Sequence, residues 1–357
     1  MKDSILRRRL ANQRIDGQGH RTAADVVAWS GAVQAQEYEP AKWGLGLRMG
    51  DRTTERDVQR AFDEGRILRT HVLRPTWHFV TPADIRWMLA LTGPRVQKRL
   101  AVYWRQMKLD GPTLTRGTAV IERALGDGGC LTRAELAEAL RRAKLPFVTH
   151  RLAHLALYAE TESVICSGPR RGKQSTYALL ASRAPRAARV DRDEALGTLV
   201  RRFLQSHGPA TIRDFVWWSG LTTPDATRGF QIARASRREQ GGRIYWTVGA
   251  SRPTTREQLA HLLPIYDEYL VAYKDREAIP HGAAKITAAF ARPVNFQHAV
   301  IVDSRVTGTW RITRTSRAIA MRATMLRPLT TRERRAVADA AKRYERFQGV
   351  PVALTID

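Results

Sequence analysis

The sequence predicts an α+β chain of three tandem winged-helix units followed by a C-terminal β-barrel-like α/β domain. Three observations predict this fold class. A capped-helix cassette at residues 22–31 returns almost unchanged at 211–220. Helical segments are followed three times by paired β-rich runs, which is the plan of a winged helix. Beyond Pro253 the pattern changes to strand-like runs and one long helix.

The length of the chain supports a division into several units. A chain of 357 residues is long for one hydrophobic core and suits two to four domains. Changes of pattern place the first winged-helix unit at residues 1–110, the second at 111–188 and the third at 189–252. The C-terminal β-rich domain then covers residues 253–357.

The first unit combines predicted helices with one hairpin. An apolar stripe predicts a helix over residues 3–14. Thr22 and Asp25 form a capping box that begins a second helix, and Gly31 ends it. The remaining signals are a third helix that opens at Pro40, a fourth that is capped by Thr54, and β-rich runs at 67–72 and 76–80.

The other units follow the same plan. The second has helices from Thr132 and Pro146 and strands at 163–166 and 175–179. The third has a helix at 191–206, the repeated cassette, a helix from Pro224 and strands near 243–248. The C-terminal domain has strand-like runs at 298–303, 306–314, 317–325 and 352–356, with a helix at 331–346.

Charge is the most informative feature of the composition. The chain holds 60 basic and 34 acidic residues, a formal net charge of +26. Cationic surface binds phosphate by releasing counterions, so nucleic acid is the predicted partner. A GC-rich genome also favours arginine, which outnumbers lysine by 51 to 9, and the alternative is a merely basic enzyme. Codon bias alone does not explain so low an acidic count.

Cysteine content and hydropathy indicate the compartment. Cys130 and Cys166 are the only cysteines, too few for a disulfide framework or a cysteine zinc site. No apolar stretch approaches the ~20 residues that span a bilayer, and the N-terminus lacks the apolar core of a signal peptide. These features predict a cytoplasmic, nucleoid-associated protein with no membrane attachment.

Two amide side chains, Gln34 and Gln36, follow the first cassette and have no counterpart after the second. Gly31 and Pro40 favour a non-helical stretch here, and side chains two apart on an extended segment point the same way. The amides are therefore predicted to converge on one ligand. An amide is a negligible base near neutral pH, and taken alone such a pair is more typical of a surface or capping role.

Basic side chains in the second and third units are candidate DNA contacts. Arg170, Arg171 and Lys173 lie on a glycine-flanked loop that matches the wing of a winged helix; a solvated turn is the alternative. The third unit offers a second phosphate-contacting face with Arg228, Arg234, Arg237 and Arg238. Several DNA contacts in one chain suit a monomer that clasps one damaged site in double-stranded DNA.

Five sequence motifs occur in order and carry a resemblance to a known family. They are Gln34-Ala-Gln-Glu37, Arg74-Pro-Thr-Trp-His78-Phe-Val, Val164-Ile-Cys-Ser-Gly168-Pro-Arg-Arg-Gly172-Lys-Gln, Gly208-Pro-Ala-Thr211 with Trp218-Ser-Gly220, and Leu262-Leu-Pro-Ile-Tyr-Asp-Glu-Tyr-Leu270. Together they resemble the winged-helix DNA glycosylases of the AlkZ/YcaQ type, over almost the whole chain. The pair of glutamines matches the Q-x-Q branch, which includes azinomycin self-resistance enzymes.

The resemblance implies three tandem winged helices plus a β-barrel, and excision of N7-alkylated purines, including crosslinked guanines in some members. It implies Gln34 and Gln36 as catalytic residues and Arg74 as a DNA contact in a hairpin. His78 is carried over only as a possible accessory residue. The reason is that Pro75 stands where the family's hairpin has glycine, a departure that would stiffen the hairpin.

The chemistry of this excision suits weak functional groups. A cationic purine departs as a neutral base, so two amides need only hold water beneath C1′ of the sugar. Glu37 is an alternative base, ranked lower because its side chain points away on an extended segment. No lysine adjoins the two glutamines to form a Schiff base, Lys42 in the next helix being the nearest exception, so we expect a monofunctional glycosylase without metal or organic cofactor. The competing interpretation is a non-catalytic winged-helix DNA-binding regulator.

Overall fold

A computed structural model describes residues 2–15, 19–126, 128–145, 147, 149–184, 188–249, 260–279, 297–315 and 317–357. These residues form a mixed α+β fold. The predicted helix start at Pro146 and the predicted boundary at residues 252 and 253 lie outside the described residues. Within the described part, no helix is long and apolar enough to cross a membrane.

The N-terminal part of the chain builds a small sheet surrounded by helices. Its elements are α1 (Lys2–Asn12), α2 (Ala23–Ser30), β1 (Val33–Gln34), α3 (Tyr38–Gly46), α4 (Glu55–Asp63), β2 (Leu68–His71) and β3 (Trp77–Val80). The antiparallel strand order is β1-β3-β2. Capping boxes at Thr22 and Thr54 begin α2 and α4, as predicted. Helix α3 begins at Tyr38, so Pro40 lies within its first turn instead of opening it.

The middle of the chain contains two long helices that no capping or hairpin signal above predicts. These are α5 (Ile85–Gln106) and α6 (Gly111–Leu125). They lead to β4 (Cys130–Thr132), α7 (Arg133–Arg142), α8 (Thr149–Thr161), β5 (Ile165–Arg171), β6 (Gln174–Leu179) and α9 (Leu180–Arg183). The sheet order is β4-β6-β5. Because β5 continues to Arg171, the connection between β5 and β6 is shorter than the predicted basic loop.

The repeated cassette lies in the next group of helices. This group is α10 (Arg192–His207), α11 (Ile212–Ser219), α12 (Thr223–Ile232) and the hairpin of β7 (Ser236–Gln240) and β8 (Arg243–Thr247). A capping box of Thr211 and Asp214 begins α11, and Gly220 ends it in the left-handed conformation. Both copies of the cassette therefore form the capped eight-residue helix that the sequence predicts.

The C-terminal part forms an open sheet and not a closed barrel. Its described elements are β9 (Ala260–Leu263), α13 (Glu268–Val271), β10 (Ala299–Val302), β11 (Arg305–Arg314), β12 (Ile319–Met325), α14 (Thr331–Gln348) and β13 (Val352–Ile356). The strand order is β13-β12-β11-β10-β9. The prediction of a barrel is wrong for the described strands, because α14 returns β13 to pair in parallel with β12 and leaves it far from β9.

The N-terminal helices and the C-terminal sheet share one hydrophobic core. Trp43 of α3 packs edge-on against Tyr344 of α14 at 5.0 Å and against Phe347 at 5.1 Å between ring centroids. Its indole nitrogen donates to the carbonyl oxygen of Leu262 in β9, 2.7 Å away. This shared core holds the segment after β9 close to β1, where the candidate site is built.

Candidate functional site

The carboxyl ends of the two cassette helices meet beside the turn between β2 and β3. A Cβ on Gly31, which ends α2, would lie 3.7 Å from the ring of Trp218 in α11. Gly220, which ends α11, has φ +71° and would place a Cβ 2.3 Å from the carbonyl oxygen of Leu73. Glycine is required at this second position because a side chain would collide with the turn. The second cassette therefore packs directly against the hairpin that adjoins β1.

Gln34, at the end of β1, is held through both its main chain and its side chain. Its main-chain N–H donates to Glu268 Oε1 at 2.6 Å, and its side-chain Oε1 accepts from Arg74 Nη2 at 2.7 Å. The residue is 9% exposed. An amide fixed from two sides in this way has little freedom to change rotamer, so its position is set by the fold.

Arg74, predicted as a DNA contact, is half-buried and lines the site with its guanidinium bonded within the protein. Its Nη1 donates to the carbonyl oxygens of Trp217 at 3.2 Å and Trp218 at 2.8 Å, two of the free carbonyls at the end of α11. Burial lowers the pKa of Arg74 to about 10, against the opposing charge of Glu268. The guanidinium remains protonated at neutral pH and joins the second cassette to Gln34.

Glu268 of α13 also connects the two cassette regions, through bonds to Gln34 and to Trp218. Besides the Gln34 N–H, its carboxylate accepts from Trp218 Nε1 at 3.1 Å and lies 3.2 Å from His207 Nε2. Burial alone would raise its pKa, but the contact with His207 and the charge of Arg74 outweigh burial and lower that pKa to about 2. Glu268 is therefore ionised at neutral pH although it is 1% exposed.

Gln36 reaches the same hairpin as Gln34. Its Oε1 accepts from the main-chain N–H of Trp77 at 3.2 Å, and the intervening Ala35 donates to the carbonyl oxygen of Trp77 at 2.7 Å. The stretch is non-helical, as the sequence predicts, but the strand ends at Gln34 and the chain bends at Gln36. Both amides contact the β2–β3 hairpin. Gln36 and the following Glu37 are exposed, and Glu37 is the N-cap residue of α3 without a side-chain capping bond.

A cavity of about 540 Å³ opens beside Gln34. Its lining combines cations with aromatic rings: Arg74, Arg99, Arg213, Lys274, Trp217 and Tyr266. The ammonium of Lys274 lies 4.7 Å from the centroid of the Trp217 ring, and its main-chain N–H donates to Asp214 Oδ1 at 2.9 Å. Apart from Arg74, these lining side chains were not predicted as site residues, although Arg213 and Trp217 belong to the second cassette and Lys274 follows the fifth motif.

Lys274, and not Lys42, is the lysine that lines the cavity beside Gln34. In sequence Lys42 is the nearest lysine to the two amides, but its side chain is 3% exposed and paired with Glu55 and, at 2.7 Å, with Glu39. Lys274, distant in sequence, lines the same cavity as Gln34. Sequence proximity alone was therefore not a sufficient guide to which lysine stands near the site.

His78, the possible accessory residue, is fully buried. Its Nδ1 donates to the carbonyl oxygen of Thr76 at 2.8 Å, and its Nε2 lies 3.5 Å from Arg74 Nη2. Burial first and the charge of Arg74 second lower its pKa to about 3. The neutral imidazole supports the hairpin and Arg74 and does not reach the cavity surface.

The other predicted DNA contacts lie outside the Gln34 cavity. Arg170 is largely buried, stacks over the Tyr38 ring at 4.6 Å and pairs with Glu39 at 2.8 Å. Arg171 is exposed and pairs with Glu135. The remaining five are exposed: Lys173 at the hairpin tip, Arg228 paired with Asp193, Arg234 just after α12, and Arg237 and Arg238 on β7. Of the predicted contacts, Arg74 alone lines the cavity with Gln34.

The family of the chain follows from its similarity to known proteins. The sequence profile of the AlkZ-like DNA glycosylases matches residues 27–347. An interstrand DNA cross-link repair glycosylase of Streptomyces sahachiroi is 26% identical over 327 residues, 85% of this chain and 86% of that protein. The structure of the Streptomyces sahachiroi DNA glycosylase AlkZ shares the fold, with a TM-score of 0.82, 23% identity and 99% of both chains covered. The chain belongs to the AlkZ-like DNA glycosylase family.

Proposed function

We propose that this protein is a monofunctional DNA glycosylase that hydrolyses the N-glycosidic bond of cationic N7-alkylated purines in double-stranded DNA. Bulky or crosslinked guanine adducts are included, since its relative from Streptomyces sahachiroi is named for cross-link repair. The observation that carries the proposal is Gln34, held by Arg74 and Glu268 at the wall of a cationic cavity.

Water positioning is the role of the amides. A carbonyl oxygen has two lone pairs, and Arg74 uses one of those on Gln34 Oε1, so the other accepts from a water beneath C1′. Gln36 holds the same water from the exposed side of the strand. Since an N7-alkylated purine departs as a neutral base, no strong general acid is required, and the contribution of both amides is orientation.

The anionic and cationic groups around the cavity have different roles, one toward the sugar and the other toward the phosphates. The ionised Glu268 is one hydrogen bond from the main chain of Gln34 and stabilises positive charge that develops on the sugar. Arg99, Arg213 and Lys274 line the cavity and bind the phosphates on either side of the lesion. These phosphates neutralise cations that would otherwise repel a charged purine.

Excision uses water and not an amine. A Schiff base requires a lysine nitrogen that is free to attack C1′, whereas Lys274 Nζ lies over the Trp217 ring, 4.7 Å from its centroid. Glu37 remains an alternative base at the exposed end of the strand. Borohydride treatment of the protein with an abasic duplex is therefore expected to trap no covalent complex, and a trapped complex would reject the monofunctional assignment.

Three winged-helix units at residues 1–110, 111–188 and 189–252 hold the duplex, one monomer per lesion. Exposed Arg171 and Lys173 on the β5–β6 hairpin, with Arg228 and Arg234 on the third unit, contact the phosphate backbone. Binding through phosphates predicts an affinity that falls steeply with salt.

The decisive experiment is incubation with a duplex that holds one N7-methylguanine, followed by alkaline cleavage of abasic sites. The wild-type protein is expected to give strand cleavage at the lesion. Replacing both glutamines, Gln34→Ala with Gln36→Ala, is expected to abolish cleavage and to leave duplex affinity nearly unchanged. Full excision by the double variant would overturn the site assignment. Sequence-specific binding without an abasic product would favour a DNA-binding regulator instead.

A further inference from the structure

A second cavity of about 460 Å³ adjoins the exposed glutamine. It lies between α3, the β2–β3 hairpin, the β5–β6 hairpin and the first turn of α7. Gln36 borders it, since Trp77 of its lining donates to Gln36 Oε1 at 3.2 Å and Arg69 Nη2 donates to the Gln36 carbonyl oxygen at 3.2 Å. The exposed Gln36 therefore borders this second cavity as well as the β2–β3 hairpin that it shares with Gln34.

Aromatic rings and guanidinium groups are stacked in this second cavity. The Arg69 guanidinium lies 4.3 Å from the Trp77 ring centroid and that of Arg170 lies 4.6 Å from the Tyr38 ring centroid. Tyr177 completes the aromatic lining and lies 6.4 Å from Trp77. Aromatic and guanidinium planes of this kind are the surfaces on which unstacked bases bind.

The opposite wall of the cavity suits a phosphate. Thr132, Arg133 and Ala134 line it at the amino end of α7, where free main-chain N–H groups favour an anion. Arg69 donates to main-chain carbonyl oxygens, at 2.9 Å to Ala35 and at 3.2 Å to Gln36, and not to a carboxylate. Glu39 pairs with Arg170, and Glu135, which caps α7, pairs with Arg171. Arg133 has the hydroxyl of Tyr177 as its partner, at 3.5 Å, and remains available to an anion.

Base-sized aromatic walls beside a phosphate-sized cationic wall match one nucleotide. The volume lies within the roughly 300–1,000 Å³ range of small-molecule pockets. A base paired within a duplex has both faces stacked and cannot enter. We propose that the second cavity binds one unpaired nucleotide of a distorted duplex, with its base against the Arg170 guanidinium that is stacked on Tyr38 and its phosphate at Arg133 and the amino end of α7.

This inference rests on the proposed function in that the ligand is DNA, but its test needs no lesion. The probes are a fully paired duplex and the same duplex with a single-nucleotide bulge, and the measurement is the ratio of their dissociation constants. Stacking of one base strengthens binding by about tenfold. The wild-type protein is therefore expected to prefer the bulged duplex by about that factor.

Two pairs of variants separate the aromatic and the charged walls. Tyr38→Leu removes the ring and is expected to reduce the preference to near unity, whereas Tyr38→Phe should retain it. Ala134→Glu places a carboxylate at the phosphate wall in a helical position that favours acidic residues. It is expected to reduce the preference, while the isosteric Ala134→Gln should retain it. Unchanged affinity for the paired duplex shows that each variant is folded.

Equal binding of both duplexes by the wild-type protein would overturn the inference, as would a full preference in both Tyr38→Leu and Ala134→Glu. Excision of N7-methylguanine is measured on the same preparations. Excision without a bulge preference rejects the second cavity alone, and a bulge preference without excision rejects the proposed glycosylase activity alone.

Discussion

The two copies of the cassette are locally alike and differ in what surrounds them. Each begins with a threonine and aspartate capping box and ends at a glycine with positive φ. Asp25 of the first copy is exposed and makes only capping bonds, whereas Asp214 of the second is 1% exposed, pairs with Arg9 and accepts from Lys274 N. The same local signal thus occurs once at the surface and once in the interior.

The difference extends to the residues that follow each glycine. After the first copy the chain enters β1 and presents Gln34; after the second it enters α12, and Thr223 stands at the equivalent position. The second copy instead supports the first, through the Arg74 bonds to its last carbonyls and the bond of Trp218 to Glu268. One copy supplies the candidate chemistry and the other holds it in place.

The largest expected difference between the two copies is in the stability lost when each capping aspartate is replaced by alanine. Asp214→Ala removes a cap and a buried anion, leaving Arg9 with Glu277 as its carboxylate partner, and is expected to lower the free energy of unfolding by about 3–5 kcal/mol. Asp25→Ala removes only an exposed cap and should lower it by about 1 kcal/mol. Urea unfolding with an unchanged m-value measures both. Equal losses would show that the two environments do not differ energetically.

Glu268, whose carboxylate bonds to both cassette regions, is expected to make the free energy of unfolding depend on pH. The pKa of Glu268 is about 2 in the folded protein against 4.5 ordinarily, so its contribution is present above pH 4.5 and is lost as the pH falls towards 2. That contribution is on the order of 3 kcal/mol. The difference in unfolding free energy between wild type and Glu268→Gln should therefore shrink between these pH values. A difference that stays constant would contradict the low pKa.

The next comparison concerns activity at equivalent positions after the two glycines. Gln34→Ala is expected to slow single-turnover excision of N7-methylguanine by about 100-fold, because misplaced water costs rates of that order. Thr223→Ala, in the lining of the same cavity, should change the rate by less than about threefold if it serves only as lining. Similar losses in both variants would mean that cavity shape and not the Gln34 amide controls excision.

Much of this arrangement could be predicted from local sequence signals. Capping boxes, glycine ends and β-rich runs predicted most of the shorter helices and the hairpins within a few residues, and the last strand agrees at both ends. The long helices α5 and α6 were not among them, and long-range pairing could not be predicted in this way. The barrel was expected from the strand-like runs and from the family resemblance, whereas closure depends on which edge β13 joins, and β13 joins β12 in parallel.

The candidate site shows the same limit. Gly31 and Pro40 were enough to predict a non-helical stretch at Gln34 and Gln36, which the structure confirms. Nothing local indicated that Arg74 turns inward, since the carbonyl oxygens to which it donates are more than 140 residues away. Burial of a charged side chain depends on such distant partners, and for the same reason no local signal singled out Glu268.

The smallest expected effect tests what the two copies share. Thr22 and Thr211 accept a hydrogen bond from the third helical residue in the same way, at 3.1 Å in both copies. Thr22→Ala and Thr211→Ala should therefore each lower the free energy of unfolding by about 1 kcal/mol, with excision unchanged. Thermal and urea unfolding of the two variants measure this. If Thr211→Ala costs much more, the caps themselves differ, and the contrast between Asp25 and Asp214 cannot be assigned to the buried ion pair.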